Sequence, residues 1–376
     1  MATADRAKEL VEQVRDTAAR GQRLRIRGGG TKDWYGEPPS PQAAETILDT
    51  RVHAGIVEYD PSELVVTVRC GTPLAELEAA LAASGQMLAC EAPHFGAQAT
   101  VGGCIAAGLS GPRRATSGSV RDFVLGAKLI NGRGQHLSFG GQVIKNVAGY
   151  DVSRLLAGSL GILGVITEVS LKVVPVPVAE ATLRFDGVPL HEALARLNRW
   201  GGQPLPLSAS AWSAATLHLR LSGASAAVAA ARSVLGGELL DPAGATAFWT
   251  ALREQSAPFF ARDAPLWRLS LPSTAPPLPG FDAQAGPDGL LVEWGGALRW
   301  LRCDAPATGL REAARAAGGH ATLFRRGSGG ADPARPGSNP GCFAPLDPAL
   351  LRIHQRLKAE FDPAGVFNRG RLYADL

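Results

Sequence analysis

The chain has no Cys-x-x-Cys pair, no uninterrupted apolar run of membrane length and no excess of one charge sign. Each absence removes a class of function. Cys70, Cys90, Cys104, Cys303 and Cys342 are scattered without metal-like spacing, so they read as reduced, mostly buried filler. No iron–sulfur cluster can be assembled from them alone. The best apolar stretch, Leu155 to Thr167, falls short of the ~18 residues a membrane span requires. The N-terminal stretch MATADRAKELVEQVRDTAARG carries charge throughout and lacks the apolar segment of a secretory signal, so the expected location is cytoplasmic. Against 38 Lys+Arg stand 34 Asp+Glu, a net +4 that provides no field of the strength nucleic acid needs.

What is present is length, apolar residues and glycine. The 376 residues, 45% of them hydrophobic, suffice for two or three packed domains. Glycine, at 45 residues, stands at about 12% against a usual ~7%, without a collagen-like period. Such a chain has many positions where a side chain would be in the way.

Periodicity predicts a helix over 3–19, then a strand over 23–27 that runs into Gly28-Gly29-Gly30-Thr31-Lys32. Strands at 55–59 and 65–69 flank the turn Asp60-Pro61-Ser62. Thr72-Pro73 is expected to cap a helix whose buried stripe is Leu74, Leu77 and Leu81. A hairpin is expected over 123–138, with Asn131-Gly132 supplying its positive-φ turn. A strand follows over 165–174. Pro175 and Pro177 break it and mark a domain boundary. From 178 to about 345, strands near 181–186, 208–212, 216–221, 267–271, 290–294, 297–302 and 321–325 alternate with helices near 189–200, 225–235, 247–254 and 308–317. That order fits an antiparallel sheet with helices on one face, an α+β layer. Segments 273–289 and 327–341 are Pro/Gly-rich loops, and a last helix over 348–361 precedes the tail DPAGVFNRGRLYADL.

Glycine-rich loops after strands commonly bind phosphate through main-chain N–H groups. Here the standard forms fail. Gly28–Lys32 lacks P-loop spacing, and no GxGxxG opens a helix after a strand. Gly158, Gly161 and Gly164 form GxxGxxG, for which close helix–sheet packing is the first explanation. Two clusters remain, Arg27–Thr31 and Val101–Gly111. Either alone reads as a turn-rich connector. Together they can grip a diphosphate from two sides, each giving N–H donors and close backbone approach.

The segments RGGGTK at 27–32, PSELVVTVRCGTPLAELEAAL at 61–81 and ATVGGCIAAGLSGPRR at 99–114 resemble the FAD-binding domain shared by vanillyl-alcohol oxidase and p-cresol methylhydroxylase. GSVRDFVLGAKLINGRG at 118–134, KNVAGYDVSRLLAGSLGILGVITEVSLKV at 145–173 and FDPAGVFNRGRLY at 361–373 continue the resemblance in the family's order. Within that family the chain is most similar to the FAD-binding subunits of bacterial glycolate oxidase. The resemblance implies an α+β, PCMH-type FAD-binding domain of two subdomains over 1–176. It further implies a second α+β antiparallel-sheet domain over 177–345, serving as a cap or subunit interface, and a C-terminal helix and tail over 346–376 that return to the FAD domain.

The same resemblance places cofactor contacts. Gly28, Gly29, Gly30 and Thr31 match the first diphosphate loop. Thr100, Val101, Gly102, Gly103 and Ala106 match the second flavin-contacting segment, with Pro93 and His94 nearby. Gly118, Val120, Arg121 and Asp122 match the turn beside the flavin, and Gly164, Val165 and Ile166 the stretch beside adenine. Asn368 and Arg371 match the C-terminal return. Relatives that attach flavin covalently carry histidine where this chain has Thr31, or cysteine near His94–Gly96, so FAD is expected to be non-covalent.

Flavin-dependent oxidation of a 2-hydroxy acid needs an arginine to anchor the carboxylate and a histidine to take the hydroxyl proton. His320 and Arg325, in the second domain, are the candidates. The seven histidines give no support from sequence for the metal cluster of stand-alone relatives, and no metal is expected. The resemblance therefore implies one subunit of an FAD-dependent oxidoreductase that oxidises glycolate, or another small 2-hydroxy acid such as D-lactate, and passes electrons to an acceptor other than oxygen. Implied partners are a larger FAD-containing glycolate oxidase subunit and an iron–sulfur subunit, with peripheral membrane association through the complex. A self-sufficient dehydrogenase and a non-catalytic flavin-fold scaffold are the two competing readings.

Overall fold

The computed structural model describes residues 5–38, 45–142, 150–278, 280–281, 286, 288–327 and 340–376. Parts of the loops 273–289 and 327–341 and of the motif beginning at Lys145 lie outside the described residues. The chain forms two compact units. Unit 1 comprises Met1–Ser110, Gly118–Val176 and Pro345–Leu376, and unit 2 comprises Gly111–Ser117 and Pro177–Ala344.

The strands of unit 1 are β1 (Arg23–Arg27), β2 (Glu45–Asp49), β3 (Ile56–Asp60), β4 (Val65–Arg69), β5 (Gln86–Met87), β6 (Val124–Ile130), β7 (His136–Gly140), β8 (Val165–Lys172) and β9 (Val174–Pro175). Apart from the short pair β5–β9, they build two layers, each with its own core. In the first, β1 and β2 pair in parallel from Arg23↔Glu45 to Arg27↔Asp49. The helix Ala7–Ala19 buries Leu10 and Val14 with Leu24, Leu48, Ile130, Val165, Val366 and Phe367. The second layer is antiparallel, in the order β3-β4-β8-β6-β7, and packs under helices Leu74–Ala83 and Val101–Ala107. Because β8 runs between β4 and β6, both its faces are buried. Its polar residues are accordingly paired: Thr167 Oγ1 donates to Lys128 O at 3.1 Å, and the hydroxyls of Ser170 and Thr67 meet at 2.9 Å.

Two turns differ from expectation. Pro73, not Thr72, occupies the cap position of the helix Leu74–Ala83. The Thr72 hydroxyl instead donates to Arg69 O and accepts from Gly55 N, closing the bend after β4. The β6–β7 loop closes over five residues, with Ile130 opposite His136. The positive φ falls on Gly134 rather than on Asn131 or Gly132. Asn131 braces that loop by accepting from Arg133 N and Gln135 N. Gly132 is required for another reason: a Cβ there would come within 2.3 Å of Asp362 Oδ1.

Unit 2 contains β10 (Ala179–Phe185), β11 (Leu207–Ser213), β12 (Thr216–Gly223), β13 (Glu238–Leu239), β14 (Leu266–Ser270), β15 (Leu290–Glu293), β16 (Leu298–Arg302) and β17 (His320–Arg325). All are antiparallel, in the order β13-β10-β12-β11-β15-β16-β14-β17. Helices Leu190–Gly201, Ser225–Leu235 and Ala307–Ala316 cover the face that carries Leu183, Leu217, Leu219 and Leu221. The expectation of helices on one face only does not hold. Pro242–Arg253 lies on the opposite face, where the Trp249 indole donates to Thr182 Oγ1 and Phe248 stacks on His218. Trp200, Trp249, Trp267, Trp294 and Trp300 are all buried, as core residues would be.

Candidate functional site

A solvent-open cleft in unit 1 has a cavity volume of about 110 Å³. Its lining brings together Gly28, Gly29, Gly30, Thr31, Thr100, Gly102, Gly103, Ala106, Gly164, Ile166, Asn368 and Arg371. Pro93, Val101, Gly118, Val120, Arg121, Asp122 and Val165 are not part of this lining. Pro93, Val101, Val120 and Val165 are buried, while Arg121 and Asp122 are exposed. Asp122 forms a capping box with Ser119.

The two glycine clusters touch each other. A Cβ on Gly28 would lie 2.3 Å from Thr100 Oγ1, and one on Gly29 only 1.6 Å from the carbonyl oxygen of Gln98. Gly30 has φ +72°, and a Cβ there would strike the Arg27 guanidinium. Glycine at these positions is what lets the loops close on one another. Gly102 is equally constrained, by Cys70 beneath it.

The first cluster has N–H groups to offer at the cleft. Those of Gly29, Gly30 and Thr31 donate to no group among the described residues. In the second cluster, Val101 N bonds Thr72 O, Gly102 N bonds Cys70 O and Gly103 N bonds Thr100 Oγ1. Where the second cluster lines the cleft, at Gly102 and Gly103, its N–H groups are therefore already engaged. The second contributes a wall without protruding side chains.

Charge follows the same logic. Arg25, Arg27, Lys32 and Arg371 line the cleft beside a single carboxylate, Asp33. Asp33 lies 2.7 Å from Arg27 and 3.3 Å from Arg25. Four cations against one anion, next to unengaged main-chain N–H groups, suit a diphosphate. The residues present fit the phosphate part of a dinucleotide.

Sequence reasoning had not singled out Arg25, Asp33, Thr50, Ala107 or Leu160 as lining residues, nor assigned Gly161 to the cleft. For Gly161 a signal existed. Gly158, Gly161 and Gly164 all have positive φ and sit in a turn-rich loop rather than on a helix; Gly164 passes close to Ile130 O of β6, and Gly161 opens on the cleft. A Cβ on Gly161 would meet the Asn368 amide at 2.6 Å. The polar ends of the two C-terminal residues are turned to the protein. Asn368 Oδ1 accepts from Ile26 N at 2.8 Å and its Nδ2 donates to Leu160 O at 2.7 Å. Arg371 donates to the carbonyls of Asp33, Tyr35 and Glu37.

The Thr31 hydroxyl donates to His94 O, and Lys32 Nζ reaches the same oxygen at 3.1 Å. All five cysteines are free thiols and buried. Burial pushes the Cys104 thiol up to about 11, so it is a poor nucleophile. In unit 2, His320 and Arg325 occupy opposite ends of β17, roughly 16 Å apart at ~3.3 Å per residue. Burial and the neighbouring Arg302 lower the Arg325 guanidinium to about 10. Among the described residues no helix is long and apolar enough to cross a membrane.

Residues 1–140 match the family model of an FAD binding domain. The chain is 50% identical over 374 residues, 99% of both chains, to glycolate oxidase subunit GlcE of Escherichia coli (strain K12). It is 33% identical over 157 residues to glycolate oxidase subunit GlcD of Bacillus subtilis (strain 168), covering 42% of this chain and 33% of that one. With a D-lactate dehydrogenase of Archaeoglobus fulgidus it shares 34% identity over 151 residues, covering 40% and 33%. Among solved structures, alkyldihydroxyacetonephosphate synthase superposes with a TM-score of 0.69 at 15% identity, covering 97% of this chain and 74% of that one, a likeness of fold.

Glycine loops, cations and the α+β layers around them thus define a PCMH-type FAD-dependent oxidoreductase fold. Near-complete coverage at half identity is more specific: the chain belongs to the family of the glycolate oxidase subunit GlcE.

Proposed function

We propose that this chain is the FAD-binding subunit of a multi-subunit glycolate oxidase, oxidising glycolate or a similar small 2-hydroxy acid and passing electrons to an acceptor other than oxygen. The observation that carries the reading is the cation-lined glycine cleft in a chain 50% identical, end to end, to a glycolate oxidase subunit. The free N–H groups of Gly29, Gly30 and Thr31, with Arg25, Arg27 and Lys32, hold the FAD diphosphate. Gly102, Gly103 and Ala106 admit the cofactor from the other side. Bound FAD supplies the two-electron acceptor. Unit 2 serves as the cap or subunit-facing part, and His320 and Arg325 are its candidates for substrate contact. A larger flavoprotein subunit and an iron–sulfur subunit complete the complex, through which the otherwise cytoplasmic chain reaches the membrane surface.

With threonine at position 31 and no cysteine within the stretch His94–Gly96, the flavin is held without a covalent bond. Acid precipitation of the yellow protein should release all flavin as free FAD, and colour retained by the denatured chain would refute non-covalent binding. At a hundredfold excess over Kd, FAD should stabilise the protein by about 2.7 kcal/mol. Glycolate-dependent reduction of an artificial dye should require the assembled complex. Turnover by the isolated chain would establish the self-sufficient reading instead, and full complex activity without flavin on this chain the scaffold reading.

A further inference from the structure

The helix Pro348–Phe361 buries one residue, and that residue is a lysine. Lys358 is 8% exposed and its carboxylate partner Asp362 is 2% exposed. The ammonium spends its three N–H groups on Asp362 Oδ2 at 2.7 Å, Ile162 O at 2.7 Å and Phe367 O at 2.9 Å. Asp362 in turn accepts from Val366 N and Phe367 N, each at 2.9 Å. It also seats against Gly132, whose N–H bonds Phe361 O. Burying a charge is costly where an apolar side chain would fill the space, so the pair must hold something.

What it holds are the two segments beside the nucleotide cleft. Ile162 sits between the lining residues Leu160 and Gly164. Phe367 precedes Asn368, which bonds Leu160 O, Ile26 N and, through its own N–H, Leu24 O. One ammonium therefore fixes the 158–164 loop and the tail together, and the tail fixes the end of β1 where the glycine loop begins.

We infer that Lys358 and Asp362 are positioning residues for the cofactor: they clasp the tail 362–376 to the 158–164 loop, and FAD affinity depends on that clasp although neither residue lines the cleft. The inference rests on the cleft being the FAD site. Because such coupling is reciprocal, FAD must also hold the tail down. Arg369, exposed just beyond Asn368, reports on this as a trypsin site.

The test uses the full-length protein, an FAD fluorescence titration and mass-spectrometric release of residues 370–376 by trypsin. In the natural sequence, saturating FAD should slow that release at least severalfold, and an unchanged rate despite bound FAD would overturn the inference. Lys358→Met, or Asp362→Asn if the first fails to fold, should raise the Kd for FAD about tenfold or more and release the peptide faster. It should do so while the apo protein keeps a cooperative thermal transition. Faster release with an unaltered Kd would equally overturn it. A natural chain that takes up no FAD would instead sink the assignment of the cleft, and the clasp with it.

Discussion

In unit 1 the cleft is built where side chains are missing; in unit 2 the sheet is filled with the bulkiest cations and indoles the chain has. Gly28 and Gly29 leave room for Thr100 and the Gln98 carbonyl, and nearby main-chain N–H groups stay unengaged. Arg299, only 1% exposed, does the opposite. Its guanidinium ties down the carbonyls of Ala275, Pro276 and Gly296. Arg302 gathers the carbonyls of Phe259, Phe260, Arg262 and Ala264 around the end of the helix Pro258–Ala261, where a cation is favoured. Trp294 and Trp300 each pair their N–H, with Gly111 O and Glu293 Oε1. Open main-chain donors belong to a surface awaiting an anion. Saturated carbonyls belong to a scaffold that must not change shape.

That contrast can be broken at either end. Replacing Arg299 with Met should be the most damaging change, because it strands three buried carbonyls. We expect a loss of about 3–5 kcal/mol, read by calorimetry as a lowered transition for unit 2, and a variant as stable as the parent would deny the guanidinium its role. Gly29→Val forces the loop away from Gln98. The Kd for FAD should rise about a hundredfold, some 2.7 kcal/mol, and wild-type affinity would show that the loops need not touch.

The smallest effect sharpens the comparison by pH. Burial first, and then Arg184, lower the His218 imidazole to about 4 from an ordinary 6.5. Between those values the unfolded chain binds a proton that the folded chain refuses. Stability is thus complete above pH 6.5 and falls as the pH drops toward 4, at most by ~1.4 kcal/mol per pH unit. His53 and His136 in unit 1, and His320 in unit 2, shift in the same direction, so the useful quantity is a difference. Chemical denaturation of His218→Phe, which keeps the stack on Phe248, should show a shallower acid slope than the natural protein by about 1–2 kcal/mol over the range. Identical slopes would mean that the ring is solvated.

Much of this was legible in the order of residues. Several strands of unit 2 follow from alternation, as in β12, where Leu217, Leu219 and Leu221 form one face against helices. The side of the sheet on which Pro242–Arg253 packs was not legible, since Phe248, Trp249 and Leu252 look apolar from either side. The Asn131-Gly132 pair announced a tight turn, yet Asn131 spends its side chain bracing a longer loop and Gly134 makes the reversal. In the cleft, glycines and cations could be read because their chemistry lies in residue type. Leu160 and Thr50 could not, since local sequence carries no sign of which loop folds beside the glycines. The Lys358–Asp362 pair, four residues apart on a helix end, looks like any surface ion pair until its burial is seen.

Unit 1 is stitched from three stretches of chain, and the last of them, with Asn368 and Arg371, is translated after every residue of unit 2. On the ribosome the eight-stranded sheet can finish while the nucleotide cleft still lacks one of its walls. A nascent chain stalled before Asn368 would lack that wall, so cofactor loading has to wait until all of unit 2 has been made.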